Sequence, residues 1–121
     1  MAFEKFKRTS VNYGTRRASV RVNRTQMWTS KMLTDQMGDD GFDAVYFMVD
    51  RDALKIQMKK GKWDDGASFP LRYQVRNKEG MYTRAVINVV GLIREYDIMD
   101  GTYDVVRVSE TVYEFTYEAK A

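Results

Sequence analysis

The side chains that could do chemistry in this chain are restricted by two absences, because the sequence contains no histidine and no cysteine. A histidine base, a thiolate nucleophile and the commonest zinc, copper and iron ligands therefore cannot be built. Carboxylates, lysines and tyrosines remain, but the sequence holds neither a G-x-G-x-x-G nor a Walker A motif for nucleotide phosphates. The composition predicts a protein that is not an enzyme and that uses no metal ion and no cofactor.

Positive side chains with no acid between them fill residues 5–24, KFKRTSVNYGTRRASVRVNR. Residues 1–31 carry eight lysines or arginines against one acid, a net charge of +7, whereas residues 32–121 carry twelve against sixteen, a net charge of −4. A basic segment on an acidic body is typical of proteins that bind a polyanion. An aromatic residue within such a segment can stack on a nucleic-acid base. The residues predicted to bind nucleic acid are Lys5, Lys7, Arg8, Tyr13, Arg16, Arg17, Arg21 and Arg24.

Part of this set lies on a predicted strand. ASVRVN (18–23) alternates apolar and polar residues, which predicts one buried and one exposed strand face. Arginine and asparagine on an exposed strand can contact phosphates. The alternative is that the arginines only protect an exposed edge from pairing with other chains. The predicted polar face consists of Arg17, Ser19, Arg21 and Asn23.

The elements that must position these residues are mostly strands. Thr25 is the expected N-cap of the first helix and Gly38 its stop. The methionines on predicted helix or strand positions are expected to fill irregular gaps in the core: Met27, Met32, Met37, Met48 and Met58. Strands are predicted at 18–23, 42–49, 53–60, 71–75, 83–89, 102–108 and 112–119, and helices at 26–37 and 91–98.

The order strand, helix, hairpin occurs twice, in a first half at 16–60 and a second half at 71–121. Residues 1–15 form a basic arm, and the loop 61–70 holds the only proline and Trp63, which either packs on the fold or is exposed for binding. Neither half has enough strands to be stable alone, so residues 1–121 are expected to form a single domain. The predicted fold class is mainly β, of α+β type: a small barrel or cradle built from two interlocked strand–helix–hairpin halves.

Acidic residues occur in pairs beside glycines, as in Asp39-Asp40 and Asp64-Asp65. The ligand spacing and terminal glutamate of a calcium loop are missing. Aspartate and glycine are ordinary turn formers, so these acids are expected to shape turns and not to bind a metal ion.

The unit RVNRTQMWTSKML…FDAVYFMVDRDALKIQMKK resembles the strand–helix–hairpin unit of the AbrB/MazE family of swapped-hairpin DNA-binding regulators. The resemblance covers residues 16–60 and, more weakly, 83–119, and the layout is also similar to small bacterial and phage proteins of about this size. In that family two subunits dimerise by interleaving such units. The resemblance implies a non-enzymatic, DNA-binding transcription regulator. The contacting residues it implies are Arg16, Arg17, Arg21 and Arg24.

The sequence departs from that family in two ways. Gln26-Met27 stands where the family has a proline that opens the helix, and the last strand is acidic, with Glu110, Glu114 and Glu118. Single-stranded nucleic acid and a protein partner therefore stay open beside duplex DNA. The predicted function is nucleic-acid binding by a regulatory or phage-encoded protein. The alternative is a protein-binding module, such as a phage virion component or an inhibitor of a host factor.

Two further expectations concern assembly and location. Exposed hairpin edges can pair with a second copy, which would give a homo-oligomer. The apolar stretches are too short to span a bilayer and Met1 is not followed by a continuous apolar run. A cytoplasmic location without membrane contact is therefore expected, in a host cytoplasm or a virion if the protein is phage-encoded.

Overall fold

The computed structural model describes residues 17–62, 64, 66–76, 80 and 82–120. Most elements in these residues are strands, and each half of the chain also has one helix. The elements are β1 (Ser19–Asn23), β2 (Gln26–Thr29), α1 (Lys31–Asp39), β3 (Ala44–Asp50), β4 (Lys55–Lys60), β5 (Phe69–Pro70), β6 (Arg72–Arg76), β7 (Tyr82–Asn88), α2 (Val90–Tyr96), β8 (Gly101–Ser109) and β9 (Val112–Thr116).

The described strands form one antiparallel sheet in the order β5-β3-β4-β9-β8-β1-β2-β7-β6. This sheet curves into a nearly closed barrel, with β5 at one end of the order and β6 at the other. Only Leu71 separates β5 from β6 along the chain, so the segment 69–76 completes the ring by pairing first with β3 and then with β7. The predicted fold class, a mainly β barrel of α+β type from interlocked halves, is confirmed.

Pairs of strands from the two halves alternate around the barrel: β3 and β4, then β9 and β8, then β1 and β2, then β7 and β6. Strand β8 pairs with β1, β9 pairs with β4, and β7 pairs with β2, so three ladders join the first half to the second. The repeated order strand, helix, hairpin needs one correction, because each half has a further strand before the strand that precedes its helix. The strand directly before each helix is β2 or β7, and β1 corresponds to the segment 69–76, because each of these pairs with strands of both halves.

The predicted helix at 26–37 is wrong over its first four residues, which form β2. Met27 and Thr29 point into the barrel and alternate with half-buried neighbours, which is the period of a strand. Met27 lies opposite Val22 of β1 and Ile87 of β7, so pairing on both edges outweighs the helical spacing of the apolar residues.

Helix α1 therefore begins later than predicted, and its N-cap is Ser30 and not Thr25. The Ser30 hydroxyl oxygen accepts a hydrogen bond from the Leu33 N–H at 3.3 Å, which satisfies one of the free donors at the helix start. Thr25 lies in the tight turn between β1 and β2, where its N–H donates to Asn23 O at 2.6 Å. The helix ends at Asp39, one residue beyond the predicted stop.

The core fills the inside of the barrel and the space under α1. Among the methionines, Met27, Met37 and Met58 are buried as expected, whereas Met32 and Met48 are exposed, which corrects the prediction for these two. Burying each large apolar side chain contributes roughly 1.5–3 kcal/mol to folding. The largest buried side chains are Tyr113, Tyr117, Phe42, Met27, Leu33, Met37, Ile56, Met58, Ile87 and Ile98.

A carboxylate just after α1 ties the first half to the hairpin of the second. Asp40 accepts hydrogen bonds from Nε and Nη2 of Arg107, both at 3.0 Å, and from the Tyr113 hydroxyl at 2.7 Å. The Lys60 ammonium donates to the Asp40 backbone oxygen at 2.8 Å. Only 14% of the Asp40 side chain is exposed. We call Asp40, Arg107 and Tyr113 the Asp40 clasp; its aspartate was expected only to shape a turn.

The clasp shifts the protonation of its members. Hydrogen bonds from Arg107 and then from Tyr113 hold the pKa of Asp40 below its ordinary value. Burial, followed by the hydrogen bond to the Asp40 carboxylate, raises the pKa of Tyr113 well above its ordinary value. At neutral pH the clasp therefore joins a carboxylate to a guanidinium and a neutral phenol, which is a charge-assisted arrangement.

Replacing Tyr113 by Phe removes the hydroxyl that donates to Asp40 but keeps the ring that packs edge-on against Phe42 at 5.4 Å. We expect the free energy of unfolding to fall by about 1.5–3 kcal/mol, because a hydrogen bond to a charged group contributes roughly that much. Chemical denaturation measures the change. Tyr46→Phe on β3 is the control and is expected to change stability by less than about 0.5 kcal/mol. Equal losses in both variants would contradict the clasp.

The clasp also predicts a pH dependence of stability. Because the pKa of Asp40 is lower in the folded protein than its ordinary value of 3.8, its contribution is complete above pH 3.8 and is lost as the pH falls through the folded-state pKa. We expect Asp40→Asn to melt at a lower temperature than the wild type at neutral pH, and the difference to narrow below pH 3.8. Thermal melts across pH test this, with the exposed neighbour Asp39→Asn as control. A difference that stays constant with pH would refute the linkage.

Candidate nucleic-acid interface

Three of the eight residues predicted to bind nucleic acid lie in the described part of the chain: Arg17, Arg21 and Arg24. Of these three, only Arg21 belongs to a strand, β1. The remaining five predicted residues lie outside the described residues: Lys5, Lys7, Arg8, Tyr13 and Arg16.

Arg17 and Arg24 lie next to acids at the border with β8. The Arg17 guanidinium is 3.3 Å from the Asp104 carboxylate, in a pair whose two side chains are about two-thirds exposed. Such an exposed pair is weak, although it lowers the local positive charge. Arg24 occupies the β1–β2 turn with a φ of 56°, and its N–H donates to the Asp100 carboxylate at 2.8 Å. The structure therefore does not bring the three arginines together on one strand face.

Arg21 instead joins a row of side chains that crosses four strands. Arg21 lies opposite Trp28 on β2, Trp28 lies opposite Val86 on β7, and Val86 lies opposite Arg72 on β6. Burial alternates along β1 so that Val20 and Val22 point inward and Arg21 points outward. Directly opposed side chains on a sheet are neighbours, so the row places an arginine at each end of a tryptophan and a valine. We call Arg21, Trp28, Val86 and Arg72 the arginine–tryptophan row.

The indole of the row is held by neighbours on the same sheet. The Arg84 guanidinium carbon lies 5.2 Å from the centre of the Trp28 ring, a cation–π contact. The Trp28 indole N–H donates to Gln26 Oε1 at 3.3 Å, and Arg84 Nη2 donates to Gln74 Oε1 at 3.4 Å. Trp28 is half-buried, so its ring is fixed while part of it still reaches the surface.

A second row, of amides, runs beside the first. Asn23 lies opposite Gln26, and Gln26 lies opposite Asn88, with both asparagines exposed. Amide side chains contact phosphates and base edges. The sequences of β1, β2, β6 and β7 contain four arginines and no acidic residue. We call the outward side chains of these strands the basic face: Arg21, Asn23, Gln26, Trp28, Arg72, Arg84 and Asn88.

Sequence reasoning missed five members of the basic face: Gln26, Trp28, Arg72, Arg84 and Asn88. Trp28 had been assigned to a helix, and the two arginines lie in the second half, whose overall charge is negative. The signal that could have found Arg72 and Arg84 is that each lies next to an inward residue on its strand, Tyr73 in β6 and Ala85 in β7, and so faces outward. The pairing of β2 with β7 is what brings them beside Arg21, and no local pattern indicates it.

A metal site and a membrane-spanning helix were also looked for among the described residues. In that part of the chain no group of three acidic side chains is arranged to hold a metal ion. The described helices α1 and α2 are both too short to cross a membrane.

Comparisons with protein-family models, with curated proteins and with solved structures give no match to this chain. The resemblance to the AbrB/MazE family therefore stays a prediction. Any functional conclusion has to rest on the geometry and charge of the basic face.

The contact between Arg84 and Trp28 can be tested by fluorescence, since the chain has only one other tryptophan. In a Trp63→Phe background, we expect Arg84→Ala to shift the Trp28 emission to longer wavelength and to increase its quenching by acrylamide, because the guanidinium that covers the ring is gone. Arg94→Ala on α2 removes an equal charge from an exposed site outside the basic face and is expected to change neither reading. Identical spectra for the Arg84 and Arg94 variants would contradict the contact.

Proposed function

We propose that the protein binds single-stranded nucleic acid without catalysing a reaction, and that the basic face is the binding surface. The observation that carries this proposal is the arginine–tryptophan row, which lies on four strands without an acidic residue. Arginines supply positive charge for phosphates, and an outward tryptophan supplies a ring on which a base can stack.

The geometry favours a single strand over a duplex. In a duplex the base faces are stacked against one another, so a tryptophan on a sheet surface cannot reach them without unstacking. Sheets that bind single strands use outward aromatic residues as stacking platforms, with cations beside them for the backbone. The row from Arg21 to Arg72 spans three strand spacings, about 14 Å, which accommodates a short stretch of nucleotides.

The predicted basic arm fits the same partner. Lys5, Lys7, Arg8 and Arg16 would add positive charge to a protein that binds a polyanion. The role we propose is that of a regulator, as the AbrB/MazE resemblance implies, or of a phage-encoded protein, as the similarity in layout to small phage proteins implies. The setting is the cytoplasm of a cell or a virion. The lack of any acid in the four strands of the basic face supports binding to nucleic acid in either setting.

Salt dependence tests the proposal. With a labelled oligothymidylate in fluorescence anisotropy, we expect affinity to fall as salt rises, and Arg21→Ala or Arg72→Ala each to reduce the log–log slope by about 0.7, since each removes one phosphate contact. Trp28→Ala is expected to cost about 1–3 kcal/mol of binding free energy and to leave the slope unchanged, because stacking involves no counterion.

The control for these variants is Arg94→Ala on α2, which removes the same charge from an exposed site that is not part of the basic face. This control is expected to keep the wild-type slope. A slope reduced as much by Arg94→Ala as by Arg21→Ala would show that only net charge matters. Binding that does not respond to salt would exclude the polyanion interface.

A second candidate function, protein binding, is favoured by the opposite wall of the barrel. There Val106, Glu114, Gln57 and Met48 form a row across β8, β9, β4 and β3. Its two end members, Val106 and Met48, are 64% and 51% exposed, and exposed apolar side chains suit a protein contact. Val106→Lys separates the two candidates, because it would disrupt a protein contact on this wall and leave oligonucleotide affinity unchanged.

A further inference from the structure

A cleft of about 500 Å³ opens where the barrel closes, at the break between β5 and β6. Leu71 forms this break, and its N–H donates to the Asp43 backbone oxygen at 2.9 Å. The volume lies within the range of small-molecule sites. Arg72 lines the cleft and is also the end member of the arginine–tryptophan row, so the cleft adjoins the basic face. The described residues that line it are Asp43, Pro70, Leu71, Arg72 and Tyr73.

Two charged groups of the cleft are not used by the fold. Asp43 and Arg72 are exposed, and neither side chain has a hydrogen bond or an ion pair with another described residue. The third polar group, the Tyr73 hydroxyl, donates to Phe42 O at 2.7 Å. Burial, and then the nearby Asp43, raises the pKa of Tyr73 to about 12, so this side chain remains a neutral wall. Pro70 and Leu71 supply apolar surface for a flat ring.

We propose that this cleft takes an unpaired guanine of the bound strand, an inference that rests on the function proposed above. A carboxylate can only accept hydrogen bonds, and guanine alone among the bases presents two adjacent donors, N1–H and the N2 amino group. A guanidinium can only donate, and it reads the adjacent O6 and N7 acceptors of guanine. Asp43 and Arg72 thus complement two neighbouring edges of one base. On oligothymidylate, which has no guanine, Arg72 contacts phosphate instead.

The other bases fit this pair of charges less well. Adenine and cytosine present an acceptor beside their amino group, and thymine and uracil flank their single N–H with two carbonyl oxygens, so each directs a lone pair at the Asp43 carboxylate. In a duplex the donor edge of guanine is occupied by its partner. The cleft therefore selects a guanine that is unpaired or turned out of a stack.

The test compares the wild type with Asp43→Ala on oligothymidylates that carry one central guanine, one hypoxanthine or neither. We expect the wild type to bind the guanine strand about tenfold more tightly than plain oligothymidylate, since hydrogen bonds to a charged group are involved. Hypoxanthine lacks the N2 amino group and is expected to lie between them. Asp43→Ala is expected to bind all three strands alike.

The affinity of Asp43→Ala for plain oligothymidylate distinguishes loss of the guanine contact from misfolding of the variant. Asp43→Ala removes a negative charge beside the basic face, so it is expected to bind plain oligothymidylate at least as tightly as the wild type does. The matched control, Asp52→Ala in the β3–β4 turn, removes an equal charge at an exposed site and is expected to keep the guanine preference. Circular dichroism confirms the fold of both variants. Oligouridylates with the same substitutions repeat the comparison for RNA.

The outcomes separate this inference from the function on which it rests. Salt-dependent binding without a guanine preference overturns the cleft proposal and leaves the proposed function in place. A guanine preference that survives Asp43→Ala also overturns it. Failure to bind any of the oligonucleotides overturns both. If guanosine monophosphate binds as tightly as the guanine strand, the ligand of the cleft is a free nucleotide. That result would overturn the inference that the guanine belongs to a bound strand.

Discussion

The structure depends on hydrogen-bonded ladders between strands that are distant in the sequence. Because β1 pairs with β8 and β4 pairs with β9, the backbone groups along these edges are satisfied only when both halves are in place. The basic face has the same requirement, since β1 and β2 come from one half and β6 and β7 from the other. Folding and the assembly of this surface are therefore one event.

The Asp40 clasp adds a side-chain connection to those ladders. Its carboxylate follows α1, while its guanidinium and phenol belong to β8 and β9, so the end of the helix is fixed on the hairpin of the other half. On the basic face, by contrast, none of the described acids forms an ion pair with Arg21, Arg72 or Arg84, and Arg84 lies over Trp28. Cations are thus used in two ways: the Arg107 guanidinium binds the carboxylate that connects the two halves, and the arginines of the basic face leave positive charge on the surface.

Local patterns were enough to predict much of the fold, because a strand with one buried face leaves a two-residue period in the sequence. Val20, Arg21 and Val22 show it, and the hairpin formed by β3 and β4 also has a turn signal. QMWT was misread since four residues are too few to separate a strand from the first turn of a helix. The candidate site could be predicted only on β1, at Arg21 and Asn23. Arg72 and Arg84 join it through the pairing of β2 with β7, a contact between distant residues that leaves no mark on either segment.

The ladder between β1 and β8 has a consequence for biosynthesis. Val20 pairs with Tyr103, so a strand made early on the ribosome has to wait until more than eighty further residues have been added before that partner exists. Closing so long a loop is entropically costly and slows folding. Before that point the nascent chain exposes Arg21 of β1 without the sheet that orders it. Ordered presentation of the basic face is therefore restricted to chains whose synthesis has passed β8, and a truncated product would lack it.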